Sequence, residues 1–438
     1  MAGVNRKVPA QMTINSVGTA VRAINYEKQL VRMTLASMLF EDQFYIDGKT
    51  HAEALKELVS KVDPTKVAAL AARARDEFKL RHVPLYLCVA LARIGKLSAD
   101  ALNDVIQRPD ELGEFVAQYW QPKKQPLANQ VKKGLAKAFK KFNEYQLAKF
   151  DKNSAAVSVR DVMFLCHPKP DTKAQEELFK RIASKQLETP LTWETQLSAG
   201  ADKGETFGRL MAEGKLGALA FLRNLRNMVQ AGIDESEIRA YSKKVSVDKV
   251  LPFRYIAAAR IMPQFEDMLE DMMFRSLAAA PKIPGKTVLL VDVSGSMFGT
   301  KVSAKSDLDR FDAAAALAIL AREICEEVEI YSFSNNVVRV APRRGFALRD
   351  ELSRSQPHGG TYAGAAIKSI NAGTKYDRLI MFTDEQTYDH VDNPRGKGYI
   401  LNVAAYQNGI NSGAWETITG FSEAVLEYIR LSELEDKS

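Results

Sequence analysis

Three short segments in the last third of the chain carry oxygen ligands at a telling spacing. The first is Asp292-Val-Ser294-Gly-Ser296, the second Gly359-Gly360-Thr361, the third Thr383-Asp384. Together Asp292, Ser294, Ser296, Thr361 and Asp384 offer two carboxylates and three hydroxyls. That donor set suits a small hard divalent cation, Mg²⁺ first among them, which takes about six oxygens and keeps some waters. With few carboxylates the ion stays electrophilic and can accept a carboxylate or phosphate from a partner. The alternative is that Asp292 and Thr361 merely cap helices. A phosphatase of the haloacid-dehalogenase type needs a second Asp where Ser294 stands. Neither Ser-His-Asp nor Cys-His pairing is apparent, so no enzyme activity is expected.

A second chemistry lies upstream. Between Gln121 and Lys152 there are nine lysines and two acids, Glu144 and Asp151. A helix over residues 130–145 sorts them at 100° per residue. Val131, Leu135, Ala138, Phe139 and Phe142 fall on one face; Lys133, Lys137, Lys140 and Lys141 fall on the other, with Lys132 at the margin. The aromatics read as core. The lysines are either an ordinary solvated face or a cluster whose repulsion an anion relieves, nucleic-acid backbone being the natural one. A smaller patch follows in Arg160-Asp-Val-Met-Phe-Leu-Cys-His167-Pro-Lys169-Pro170. Its prolines end a helix near His167 and present His167 and Lys169 at the tip.

The elements that must position these groups fall into two kinds. Up to residue 280 the pattern is helical: short amphipathic stretches at 26–39, 50–61, 64–79, 84–95, 98–107 and 111–119, then 130–150, 174–184, 207–214, 216–230, 234–242 and 265–279. Brief connections suit antiparallel helix pairs stacked as a solenoid, although no repeat consensus is visible. The segment 281–286, with two prolines and a glycine, reads as a linker. After it come strands at 287–292, 328–334, 337–341, 378–384 and 399–405, with helices at 308–326, 363–370 and 422–431. Alternation of this kind predicts a doubly wound parallel sheet, which binds ligands beyond the carboxyl ends of its strands.

Charge divides at the same place. The 438 residues carry a net +7, composed of +11 over 1–285 and −4 over 286–438. Such asymmetry fits two domains, one meeting an anionic partner. Hydrophobic residues make up 46%, which excludes intrinsic disorder. Three scattered cysteines form neither a disulfide framework nor a zinc site. The start lacks a signal-peptide apolar stretch and no run is long enough to span a bilayer, so a soluble, cytoplasmic protein is expected.

The spacing of Asp292, Ser294, Ser296, Thr361 and Asp384 resembles the metal-ion-dependent adhesion site of von Willebrand factor A domains. The helical part resembles the TROVE module of the Ro ribonucleoprotein autoantigen family over roughly residues 15–280. The matching residues are 132–139, 142–149, Arg160-Asp161 with His167 and Lys169-Pro170, Thr192-Trp193-Glu194, Arg223-Asn224-Leu225 with Asn227-Met228, and Pro252-Phe253-Arg254. The resemblance implies two domains: 1–280 as a ring of HEAT-like helical repeats, and 286–438 as an A domain. Its compactness points to a bacterial or phage member. It further implies noncoding RNA as ligand, with misfolded single-stranded 3′ ends in the ring and Y RNA on the basic outer surface, in a ribonucleoprotein for RNA quality control. On that pattern Lys132, Lys133, Lys137, Lys140, Lys141, Lys149, Arg160, His167 and Lys169 are the RNA contacts. The A-domain site would bind a protein such as an exoribonuclease. Phe164 stands where a basic residue is expected. The competing expectations are a metal-dependent protein scaffold with no RNA role and, less favoured, a metal-dependent nuclease.

Overall fold

The computed structural model describes residues 12–14, 20–22, 26–36, 48–151, 155–188, 190, 192–248, 250, 252–302, 308–404, 414–419 and 424–435. The chain packs as two compact bodies. One comprises residues 29–35 and 52–210; the other comprises 1–28, 36–51 and 211–438.

The first body is built of short capped helices. Asp63 accepts the Thr65 amide and Pro64 opens the helix Pro64–Asp76, which packs on His82–Arg93. Ser98, Asn143, Ser158 and Thr172 cap later helices in the same way. The helix Asn129–Phe139 lies against Ala99–Val105. Their close approach requires Gly134, where a Cβ would stand 2.9 Å from the Ala99 carbonyl oxygen and from the Leu102 Cβ. Inside this body Arg75 pairs with the buried Glu111 at 2.7 Å. Glu111 also accepts the Gln107 and Arg108 amides on its other oxygen, so both carboxylate oxygens are hydrogen-bonded.

The expected helix over 130–150 is two helices, Asn129–Phe139 and Glu144–Phe150. The break falls at 140–143 because Asn143 and Gln146 form a capping box that starts a new helix. Phe142 still reaches the core, as the pattern required.

The second body holds a short antiparallel pair, β1 (Met12–Ile14) and β2 (Ala20–Arg22), the helices from 211 to 277, and a six-stranded sheet. Its strands are β3 (Ile283–Asp292), β4 (Cys325–Phe333), β5 (Val337–Val340), β6 (Arg378–Thr383), β7 (Lys397–Asn402) and β8 (Trp415–Thr419). Their order is β5-β4-β3-β6-β7-β8, parallel throughout except for β5 at the edge. The expected doubly wound sheet is therefore present. The expected linker 281–286 is partly strand, since β3 already begins at Ile283. The helix Gly345–Arg354 and the strand β8 carry too weak a pattern to be read from sequence.

Alternate residues of β3 face opposite layers. Val288 and Leu290 pack with Ala366, Ile367 and Ile370 of the helix Ala363–Gly373. Leu289 and Val291 point the other way, and the helix Arg310–Ile324 covers β3, β4 and β6. Residues 313–321 of that helix are all buried, and its run of alanines lets it sit close. Within the same body, the six-stranded sheet region and the preceding helices are tied together. Glu270 accepts the Phe346 amide at 2.7 Å, Arg349 pairs with Glu266 at 3.1 Å, and the Arg344 guanidinium lies over Phe274 at 4.5 Å.

Candidate functional site

β3 is the strand at which the strand order reverses: β4, which follows it in the chain, lies on one side, and β6, which starts the second half of the sheet, lies on the other. A crevice opens at the carboxyl end of such a strand. Asp292 ends β3 there, and Thr383-Asp384 ends β6 beside it.

Asp292 is fully buried. One carboxylate oxygen accepts the Ser294 amide at 2.9 Å; the other accepts the Thr383 hydroxyl at 2.7 Å. The Ser294 and Ser296 hydroxyl oxygens stand 3.3 Å apart on the turn that follows. The Gly295 amide donates to the Gly359 carbonyl at 3.1 Å, which pins this turn to the loop before the buried Thr361. Asp384 accepts the Gln386 amide at 3.2 Å and the Arg310 guanidinium at 3.1 Å. The Asp384–Arg310 pair is almost wholly out of solvent, at 0% and 2% side-chain exposure.

Arg310 was not among the residues singled out from sequence. It opens the helix Arg310–Ile324 behind the Asp309–Asp312 capping box, and an arginine at that position reads as an ordinary exposed charge. Only the fold turns it inward. Asp312, two residues on, pairs with Arg260 of the helix Phe253–Ile261. The first turn of one helix thus joins the site to the helices before the sheet.

The donor chemistry fits a cation. Burial pushes the Asp292 carboxyl up to about 7, and the nearby Asp384 charge adds to the rise. Two carboxylates held close in low dielectric are stabilised by a positive charge, and the neutral hydroxyls of Ser294, Ser296 and Thr361 suit Mg²⁺. Among the described residues no three His, Cys, Asp or Glu side chains cluster, so a cation here would depend on those hydroxyls. Exposed aromatics border the loop: Tyr362 and Tyr388 lie 5.7 Å apart beside Thr361.

A pH dependence follows. A carboxyl that is harder to ionise in the folded chain holds its proton while the unfolded chain has lost it. Its stabilising contribution is present at acid pH and is lost as pH rises from about 4 through about 7. In EDTA, stability is expected to fall across that window as Asp292 ionises. A Mg²⁺ ion held here would need the ionised carboxylate, so any stabilisation by it would grow over the same window. Melting curves at pH 5 and pH 8, with EDTA and with Mg²⁺, measure both trends, and Asp292→Asn flattens them. A Mg²⁺ effect equal at the two pH values would count against this role for Asp292.

The basic region is less uniform than its sequence suggests. Val131, Leu135, Ala138, Phe139 and Phe142 are buried as read. Three of the lysines are occupied within the protein. Lys137 pairs with Asp100 and Lys140 with Asp171. Lys141 donates to the Asn103 and Ile106 carbonyls, closing the end of the helix Ala99–Val105. Partial burial holds its ammonium below the usual lysine range. Repulsion in this cluster is therefore relieved internally at three positions. Arg160 donates to the Ala183 carbonyl at 2.8 Å and lies over Phe164. Lys132, Lys133, Lys149 and Lys169 are exposed. His167 ends the helix Val159–Cys166 in the left-handed conformation (φ 48°) and is exposed, as the flanking prolines led one to expect.

A helical body together with a doubly wound sheet bearing an Asp-x-Ser-x-Ser turn at its switch point defines a helical-repeat and A-domain protein. Residues 287–386 match the von Willebrand factor type A domain, and residues 180–275 match the TROVE domain. The TROVE match precedes the von Willebrand factor A match along the chain. The crystal structure of the Deinococcus radiodurans RO (RSR) protein shares the fold, with a TM-score of 0.68 at 17% identity, over 93% of this chain and 99% of that one. Telomerase protein component 1 of Rattus norvegicus and of Mus musculus is 28% identical over 110 residues, 24% of this chain. The match spans only 4% of the length of those relatives. The nine basic candidates lie outside the matched TROVE segment.

Proposed function

We propose that the protein binds noncoding RNA through its helical body and a divalent cation, Mg²⁺, through its A domain. The observation that carries the RNA reading is the set of exposed side chains Lys132, Lys133, His167 and Lys169, three ammonium groups and an imidazole, on one helix and one helix tip of the same body. The TROVE match supports it. Single strands are held by lysines on phosphates and by stacking, with little sequence reading. RNAs with single-stranded 3′ ends and structured RNA such as Y RNA are the proposed ligands, in a ribonucleoprotein serving RNA quality control. The A domain is the proposed platform for a second protein, such as an exoribonuclease, whose carboxylate completes the cation's shell. Among the described residues no helix is long and apolar enough to cross a membrane.

Filter binding of an RNA with a single-stranded 3′ tail tests the reading. Affinity should fall steeply with salt, since each phosphate contact on a single strand contributes about 0.7 to the log–log slope. Lys132→Ala with Lys133→Ala should weaken binding and flatten that slope by roughly 1.4. Lys137 and Lys141 serve less well as probes, because removing them also removes contacts within the fold. The RNA should be recovered intact after incubation with Mg²⁺. A salt-independent Kd, or no effect of the double substitution, would count against the proposal.

A further inference from the structure

A groove of about 410 Å³ opens in the first body between the loop 120–127 and the helix Val159–Cys166. Two aromatic side chains line it, Trp120 and Phe164, together with three basic ones, Lys124, Lys132 and His167. Its volume lies in the range of small-molecule sites, roughly 300–1,000 Å³. A nucleoside can enter such a space; a duplex cannot.

Both aromatics are held in place. The Trp120 indole N–H donates to the Gln125 carbonyl at 2.8 Å, and the Lys124 ammonium sits 4.3 Å from its ring centroid. Phe164 is 47% exposed, an unusual position for a phenylalanine on a short helix. The Arg160 guanidinium lies over its ring at 4.9 Å, and that guanidinium is itself anchored on the Ala183 carbonyl. Fixed π-faces lose little freedom when a planar group stacks on them. Among the described residues no acid lines the groove. Asp161, the acid that feels the Lys124 charge, is held by the Ser158 amide and hydroxyl.

We propose that this groove takes one unpaired RNA nucleobase, stacked against Phe164 and Trp120, with its phosphate on Lys124 and Lys132. The proposal rests on the RNA-binding reading above and adds a base-stacking subsite to it. Flat aromatic walls and cations without an acid complement a ligand that is planar and anionic together. A nucleotide is both, whereas an acidic peptide supplies only the charge. Phe164 then has a function in place of the cation expected at its position: stacking replaces one electrostatic contact.

Fluorescence anisotropy with two labelled oligomers of equal length tests this: an oligoadenylate and the matching abasic ribose-phosphate chain. Stacking is worth about 1–3 kcal/mol per base, so Phe164→Ala should weaken oligoadenylate binding roughly 5- to 150-fold. It should leave the abasic chain unchanged, and Phe164→Tyr should retain wild-type affinity for both. Phe164 is exposed, so the substitutions are not expected to unfold the helix, and circular dichroism confirms this. Equal effects of Phe164→Ala on the two oligomers would overturn the base subsite while leaving RNA binding intact. Displacement of the oligoadenylate by oligoglutamate at equal charge concentration would also overturn it. If wild type binds neither oligomer, the RNA reading fails and this proposal with it.

Discussion

Arg310→Met lowers the melting temperature of the protein in EDTA by an amount on the order of 10 °C, and Mg²⁺ restores most of the loss. Asp292 and Asp384 end neighbouring strands and are both fully buried, and Arg310 is the cation paired with Asp384. Removing one partner of a buried ion pair costs about 3–5 kcal/mol, because the other charge stays out of water without compensation. Each kcal/mol is worth roughly 2–4 °C in a domain of this size. A divalent cation at the proposed site would supply the missing positive charge and stabilise the folded state by mass action. Asp384→Ala behaves differently. It removes a proposed ligand and leaves the Arg310 guanidinium buried without its carboxylate, so Mg²⁺ gives it little recovery. Scanning fluorimetry of the two variants with and without Mg²⁺ separates these outcomes. Equal losses for Arg310→Met in EDTA and in Mg²⁺ would show that the cation and the guanidinium do not act on the same carboxylates.

The second large effect lies at the other end of the sheet and should be indifferent to metal. Arg378, at the start of β6, meets Glu433 of the closing helix Ala424–Glu435 through two hydrogen bonds of 2.8 and 2.6 Å. It also donates to the Thr287 hydroxyl at 2.8 Å and the Pro284 carbonyl at 2.7 Å. The Tyr399 hydroxyl donates to Glu433 at 3.2 Å. One guanidinium thereby holds the first residues of β3, the start of β6 and the last helix. Arg378→Met should destabilise the protein by about 3–5 kcal/mol, since Glu433 is left buried and unpaired. Arg378→Met with Glu433→Met should recover much of that loss, because apolar side chains of similar volume fill the site without a charge to desolvate. Urea melts of the single and double variants give the coupling energy directly. If the double variant is as unstable as the sum of the singles, the pair is not the clamp described.

Some of this was legible before the fold was known. Apolar runs ending in an acid at 287–292 and 378–384 marked parallel strands, and β3 and β6 lie there. The carboxyl ends of those strands put Asp292 and Asp384 in one crevice, a placement that follows from topology alone. The face of the helix Asn129–Phe139 was equally readable, because apolar spacing at three and four residues needs no long-range knowledge. Its end at Phe139 was not read, although Asn143 and Gln146 carry a capping signal, since the continuing lysines and Phe142 preserve helical spacing across the break.

What residue types and spacing gave by themselves is a candidate donor set, Asp292, Ser294, Ser296, Thr361 and Asp384, and the apolar face that orients the lysines of the basic helix. Tertiary structure alone decided which charges are spent within the protein. Lys137, Lys140 and Lys141 face acids or carbonyls 31 to 38 residues away in the chain, and Arg310 reaches an aspartate 74 residues on. Local periodicity reports which face of an element is apolar. It says nothing about which distant group an outward-pointing charge will meet, because that depends on the packing of elements that no short window of sequence contains.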